Sequence, residues 1–170
     1  AASDVYKRQM LTPSLGVDMT VMITASHNPY QDNGIKLINA DGDKFSDAET
    51  ARIEAAIAAD DFNLNPDEIG VSEAVPDAAA GYVDKALKAA NGETPLKGLR
   101  VVLDCANGVF SKILPEVFKS LGAGIIVIGN EPNGKNINLN CGSRHTEKMI
   151  ETAKNAHAQL GIAVDGDGDR

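Results

Sequence analysis

The chain has 170 residues, room for one ordinary domain or two small ones, and its 43% hydrophobic content is enough for a substantial core. Aromatic residues make up only 4% and Trp is absent, so that core is expected to be aliphatic. A formal net charge of −8 argues against a surface that binds nucleic acid or an anionic membrane.

The two cysteines, Cys105 and Cys141, have no metal-binding spacing and imply no disulfide framework. No signal peptide or bilayer-length apolar run is visible, which leads to the expectation of a cytoplasmic location. Residues 1–9 read as foreign to the rest of the chain and carry no structural expectation.

The first strand is expected in the apolar run Met19–Thr24, followed by Ala25-Ser26-His27-Asn28-Pro29. A serine just after a buried strand is a candidate nucleophile or phosphate carrier; the alternative is an ST-turn or helix cap. A Ser-His hydrolase fits poorly. Adjacent residues on an extended chain face opposite ways, and the G-x-S-x-G elbow is absent. Residues 34–39 alternate like a strand, and that spacing alone reads Lys36 as facing solvent. A turn at Asp41-Gly42 leads to a short return strand over 43–45. Ser46 and Glu49 form a capping box opening a helix from Asp47 to about Ala59, with Ile53 and Ile57 on its apolar face.

Residues 60–76 are polar, acidic and interrupted by proline, the best linker in the chain, with a brief strand expected at Ile69-Gly70-Val71. The domain boundary is placed between residues 75 and 76. A helix is expected from Asp77 to Asn91, with Tyr82, Val83, Ala86, Leu87 and Ala90 as its apolar stripe and Gly92 ending it. The pattern then alternates: strand 99–103, helix 111–121 interrupted early by Pro115, strand 124–128, helix 146–157, strand 161–164. This β-α-β-α-β order predicts a parallel sheet. Asp104 ends a strand, but Asn107-Gly108 points to a turn role there. The Asn- and Gly-rich loop over 129–143 is longer than packing needs, and Cys141 within it reads as a plain small residue.

The final six residues, Asp165-Gly166-Asp167-Gly168-Asp169-Arg170, carry the most chemistry. They leave the carboxyl end of a buried strand, where open α/β sheets place ligands. Glycines allow a turn tight enough for the three carboxylates to converge, and such a cluster of oxygens suits a hard cation such as Mg²⁺. The plainer alternative is a solvated acidic turn. An EF-hand loop requires Gly at its sixth position, where this chain has Arg170.

The segments TASHNP (24–29), DNGIKL (32–37) and DGDGDR (165–170) together resemble the α-D-phosphohexomutase superfamily. Within it, DCANG (104–108) and EPNGKNINLNCGSRH (131–145) are similar to the phosphoglucosamine mutase branch, although Arg144 and Thr146 stand where that branch more often has Thr and Pro. The resemblance implies a partial, mixed-sheet αβα first domain over 1–75 and a truncated parallel-sheet second domain over 76–170. It implies that Ser26 carries a phosphoryl group and contributes an oxygen to a Mg²⁺ held by Asp165, Asp167 and Asp169. Lys36 would then be the general base and Arg170 a phosphate ligand, with His27 either a phosphate or sugar contact or a structural loop residue. The implied substrate is a phosphosugar, glucosamine 6-phosphate exchanging with glucosamine 1-phosphate. Mannose or glucose phosphates, and a non-enzymatic metal-binding module, remain the alternatives. The family's enzymes have sugar- and phosphate-recognition loops in two further domains, so this chain alone is expected to be inactive.

Overall fold

The computed structural model describes residues 11–60, 65, 67, 69–75, 78–91 and 93–170. Residues 1–9, the linker boundary expected at 75/76, the expected helix start at Asp77 and the stop at Gly92 lie at or outside the edges of those residues.

After a helical turn over 11–15, β1 (Met19–Ile23) pairs antiparallel with β2 (Ile35–Asn39), in a register that sets Val21 opposite Leu37 and Met22 opposite Lys36. The mixed sheet expected of the first domain is represented among the described residues by this antiparallel pair. Ile38 of β2 and Thr12 are buried, and the Thr12 and Thr20 hydroxyls hydrogen-bond at 2.9 Å. The return strand expected over 43–45 is a single bridge between Ile38 and Lys44.

Helix α1 (Asp47–Ala59) opens with the expected capping box: Glu49 N–H donates to Ser46 Oγ at 3.3 Å, and Ser46 N–H donates to Glu49 Oε2 at 2.8 Å. Its apolar stripe is less covered than expected. Ile57 is 61% exposed, and no residue of the helix is buried. Residues 69–75 have no regular structure, and Ile69 and Val71 are exposed; among the described residues no strand pairs with them, so water takes the place of a sheet partner.

Helix α2 (Ala78–Ala89) buries Val83 and sets the Tyr82 ring edge-on against Phe110, centroids 6.0 Å apart. The β-α-β-α-β unit comes next: β3 (Arg100–Asp104), α3 (Phe110–Ser120), β4 (Gly124–Ile128), α4 (Glu147–Asn155) and β5 (Leu160–Ala163). β3 lies between β4 and β5, parallel to both. Its run Val101-Val102-Leu103 is fully buried, as a strand covered on both faces must be. Val101, Leu103 and Ala123 form the core, with Leu114, Phe118, Val127 and Ile162 packed around them. Burying each large side chain stabilises the fold by about 1.5–3 kcal/mol. Pro115 does not interrupt α3, which runs unbroken through it. Packing of Leu114, Val117 and Phe118 on either side offsets the lost hydrogen bond.

All three parallel strands end at one edge. The register sets Asp104 of β3 level with Ile128 of β4 and Ala163 of β5, so the loops after them meet there. The serine loop after β1 meets the same edge, and this is the region where open α/β sheets bind ligands.

Candidate phosphoserine and metal site

Thr24 leaves β1, and its N–H donates to the Gly34 carbonyl at 2.9 Å. Gly34 has to be glycine here, because a Cβ would stand 2.5 Å from the Thr24 carbonyl oxygen. The chain then turns, and Ser26 adopts a left-handed φ of 54°. Non-glycine residues hold that conformation only where surroundings impose it. Three hydrogen bonds do so. Ser26 N–H donates to Thr24 Oγ1 at 2.9 Å, Asn138 Nδ2 donates to the Ser26 carbonyl at 2.9 Å, and Ser26 Oγ donates to Asp165 Oδ2 at 2.8 Å.

Opposite it, the loop after β5 makes a second tight turn. Gly168 N–H donates to the Asp165 carbonyl, while Asp169 and Arg170 N–H donate to Asp165 Oδ1 at 3.0 and 3.2 Å. Gly166 lies against the serine loop so closely that a Cβ would stand 2.7 Å from the Ser26 carbonyl and 2.8 Å from Asn138 Nδ2. One oxygen each of Asp165, Asp167 and Asp169 falls within 4.8 Å of the others, and Asp165 and Asp167 are both 1% exposed. Asp167 Oδ2 accepts from Thr24 Oγ1 at 3.1 Å and pairs with Lys36 Nζ at 3.2 Å. Lys36 therefore reaches into the acidic cluster, which strand alternation alone did not foretell.

The charges respond to this crowding. Burial works to raise the Asp167 carboxyl, but the hydrogen bond and charge of Lys36, with the Thr24 hydroxyl and Asp169 N–H, hold it below its ordinary value. Asp169 moves the other way: burial, then the charges of Asp167 and Asp165, push it up, and the more weakly felt charge of Lys36 does not offset them. Three converging carboxylates, two of them buried, form an all-oxygen donor set suited to a hard divalent cation. The cluster can hold a metal.

Ser26, Lys36 and the three aspartates are thus brought together. His27 is not among them. It lines a neighbouring cleft with Tyr30, Lys135 and Arg144, while Ser26 and Asp167 line a cavity of about 340 Å³. Adjacent residues do diverge as expected, but because the chain turns at Ser26 rather than because it is extended. Arg170 is exposed and joins the site through its main chain, its carbonyl also accepting from Asp165 N–H.

Three contributors carried no site role in the sequence. Thr24 caps the serine turn and binds Asp167. Asn138 donates to both the Ser26 and Asn28 carbonyls, at 2.9 and 3.0 Å. Asp104, fully buried, accepts from Ala106 N–H at 3.0 Å and Gly142 N–H at 2.8 Å, pinning the loop after β4 to the sheet. Asn at 138, amid other asparagines, was the available signal for a left-handed position, which it adopts at φ 58°. The cysteines stay out of the chemistry: burial, and then the Asp104 charge, push the Cys105 thiol up to about 12, and Cys141 is raised by the same causes.

Comparison with known proteins agrees with this geometry. The family model for phosphoglucomutase/phosphomannomutase α/β/α domain I matches residues 8–64, and that for domain II matches residues 80–170. The chain belongs to the phosphoglucomutase/phosphomannomutase family. It is 46% identical over 166 residues to a phosphoglucosamine mutase of Rhizobium johnstonii, covering 95% of this chain and 36% of that protein. A phosphoglucosamine mutase of Sphingopyxis alaskensis is 47% identical over 161 residues, with the same shares. The chain therefore spans about a third of the length of the curated relatives it matches.

Among solved structures, a phosphoglucomutase/phosphomannomutase family protein from Burkholderia thailandensis superposes with a TM-score of 0.71 at 26% identity, over 91% of this chain and 32% of that one. The fold also matches an N-acetylphosphoglucosamine mutase of Aspergillus fumigatus, solved with GlcNAc-6P and magnesium, at a TM-score of 0.52 and 19% identity over 99% of this chain and 45% of that one. In the phosphoglucomutase/phosphomannomutase chain described here, the domain I match contributes the serine and lysine, and the domain II match the three aspartates. Among the described residues, no helix is long and apolar enough to cross a membrane.

Proposed function

We propose that this chain forms the phosphoserine and metal half of a phosphoglucosamine mutase, which interconverts glucosamine 6-phosphate and glucosamine 1-phosphate. The observation that carries the reading is the Ser26 hydroxyl, 2.8 Å from Asp165 Oδ2 at the edge of the three-aspartate cluster. Identity of 46–47% to curated phosphoglucosamine mutases favours the amino sugar over mannose or glucose. A cytoplasmic location accords with soluble phosphosugar chemistry.

In this account Ser26 carries the phosphoryl group. A sugar hydroxyl oxygen forms a bond to phosphorus as the bond from phosphorus to Ser26 Oγ breaks. The hydroxyl proton passes to a base, and the released serine oxygen then takes a phosphoryl group from the other end of the bisphosphate. The left-handed turn, fixed by Thr24 and Asn138, holds Oγ in position, and holding reactants in place supplies much of the catalysis such transfer needs. Asp165, Asp167 and Asp169 would hold Mg²⁺, with a Ser26 phosphate oxygen as a further ligand. When bound, that ion neutralises charge on the transferring oxygens. Lys36, 3.2 Å from Asp167, is the candidate to move the proton, and Arg170 the candidate to hold phosphate as a planar fork of donors.

The test uses a full-length protein, meaning this chain within a polypeptide as long as its curated relatives. Ser26→Ala should abolish turnover of glucosamine 6-phosphate, and undiminished turnover would sink the reading.

A further inference from the structure

The loop between β4 and α4 is longer than a connection requires, and it is built rather than slack. Asn107 Nδ2 donates to the Asn136 carbonyl at 3.2 Å, and Asn107 Oδ1 accepts from Glu131 N–H at 3.1 Å. Asn136 Nδ2 donates to the Glu131 carbonyl at 2.9 Å. Further along, Asn138 is tied to the serine loop and Gly142 to Asp104. These bonds fix the course of the backbone that carries Lys135, Arg144 and His145.

Between this loop and the serine loop lies a cleft of about 310 Å³, lined by His27, Tyr30, Lys135, Asn140, Arg144 and His145 among others. Among the described residues no carboxylate lines it, in a chain whose 24 acidic residues outnumber its 16 basic ones. Neither Lys135 nor Arg144 meets a carboxylate among the described residues. His27 Nδ1 is buried and finds no hydrogen-bond partner there either. Two permanent cations, two imidazoles and side-chain amides around one concavity make a set of donors without acceptors of opposite charge.

We propose that this cleft binds the phosphate group of a phosphate monoester. Arg144 supplies a planar fork of donors and Lys135 a point charge, a combination that suits a dianion better than a carboxylate. The cleft lies at the small end of ligand pockets, large enough for inorganic phosphate or one sugar phosphate. Nucleic acid is excluded by the same net charge of −8 and by the cleft's confinement to one concavity rather than a basic stripe. It adjoins the serine cavity, sharing Pro29, Tyr30 and Ile137 with it, but neither Ser26 nor any of the three aspartates lines it. The proposal therefore does not depend on transfer at Ser26.

The test is run on the full-length protein carrying Ser26→Ala, without magnesium, so that phosphoryl transfer plays no part. Inorganic phosphate and glucosamine 6-phosphate are titrated separately, followed by calorimetry and by the NMR signals of the Arg144 Nε–H and the amides of residues 135–145. Saturable shifts of those signals are expected, with affinity falling as salt is added. Arg144→Ala should weaken binding by about tenfold or more, the worth of a charged hydrogen bond, and Lys135→Ala should act in the same direction. Both side chains are exposed, so neither substitution threatens the fold. Equal affinity for the two ligands would assign the site to the free anion, and tighter glucosamine 6-phosphate to a sugar monoester. Unmoved loop signals, or undiminished binding in both variants, would overturn the proposal.

Discussion

The Ser26 hydroxyl donates to Asp165 Oδ2 across 2.8 Å, joining residues 139 positions apart in the chain. That one bond spans the two family domains and sets the candidate phosphate carrier at the mouth of the acidic cluster. Several expectations depend on it.

Thr24 and Lys36 both converge on Oδ2 of Asp167. Asp167→Asn removes a charge from the donor set that a hard cation requires. Calorimetric Mg²⁺ titration of the full-length protein should show affinity at least about tenfold weaker, using the value of one lost charged ligand contact. Equal affinities would take Asp167 out of the ligand set.

Lys36 stands in the opposite relation to the metal. Its ammonium occupies the carboxylate that a cation would use, so the two compete. Lys36→Met should bind Mg²⁺ up to about fivefold more tightly, the range of a partly exposed ion pair. The same variant should lose roughly 10²–10⁴-fold in turnover if Lys36 moves the proton. Tighter metal with slower chemistry is the signature; parallel losses in both would contradict it.

The carboxylates also fix a pH dependence. Burial and the neighbouring charges raise Asp169, so its contribution to folding is present below the ordinary carboxylate range and lost as pH rises through its folded value. For Asp167, burial is outweighed by Lys36 and the other donors. Its contribution is present above the ordinary value and lost as pH falls through the depressed one. Metal binding needs both groups ionised. Mg²⁺ should therefore raise the melting temperature clearly at neutral pH and hardly at all near about pH 4, within the carboxylate range. The same shift at both would show that these groups do not hold the ion.

Asn138 should matter without touching metal. Its amide bonds to the Ser26 and Asn28 carbonyls, and removing a donor from such groups costs about 1–3 kcal/mol. Asn138→Gly keeps the left-handed backbone free of strain while deleting both bonds, so it isolates the amide. Expected are a lower melting temperature and slower turnover, with Mg²⁺ affinity near that of the parent. Unchanged turnover would leave Asn138 a purely structural residue.

Much of this was legible in residues with local signatures. The Ser46/Glu49 capping box, the stripe from Tyr82 to Ala90, and the strands of the parallel sheet follow from periodicity and caps, which are properties of neighbouring residues. The convergence of Asp165, Asp167 and Asp169 was legible too, since alternation and glycine force it. What failed was everything decided by distant partners. Ile57 has helical spacing but stays exposed, and Ile69 to Val71 have strand character but no strand to join among the described residues. Lys36 looked solvent-facing because the acidic loop it meets is 131 residues away. Thr24, Asp104 and Asn138 owe their roles to hydrogen bonds between distant segments, which no spacing within one segment reveals.

The central claim, that Ser26 is the phosphate carrier, is tested most directly by mapping phosphate in the full-length protein purified in active form. Peptide mass spectrometry should find one phosphoryl group on the peptide containing Ser26, replaced by an isotopically heavy one during turnover of glucosamine 6-phosphate labelled with ¹⁸O in its phosphate, and absent from Ser26→Ala. Active protein with Ser26 unmodified throughout turnover, or phosphate confined to another residue, would contradict it.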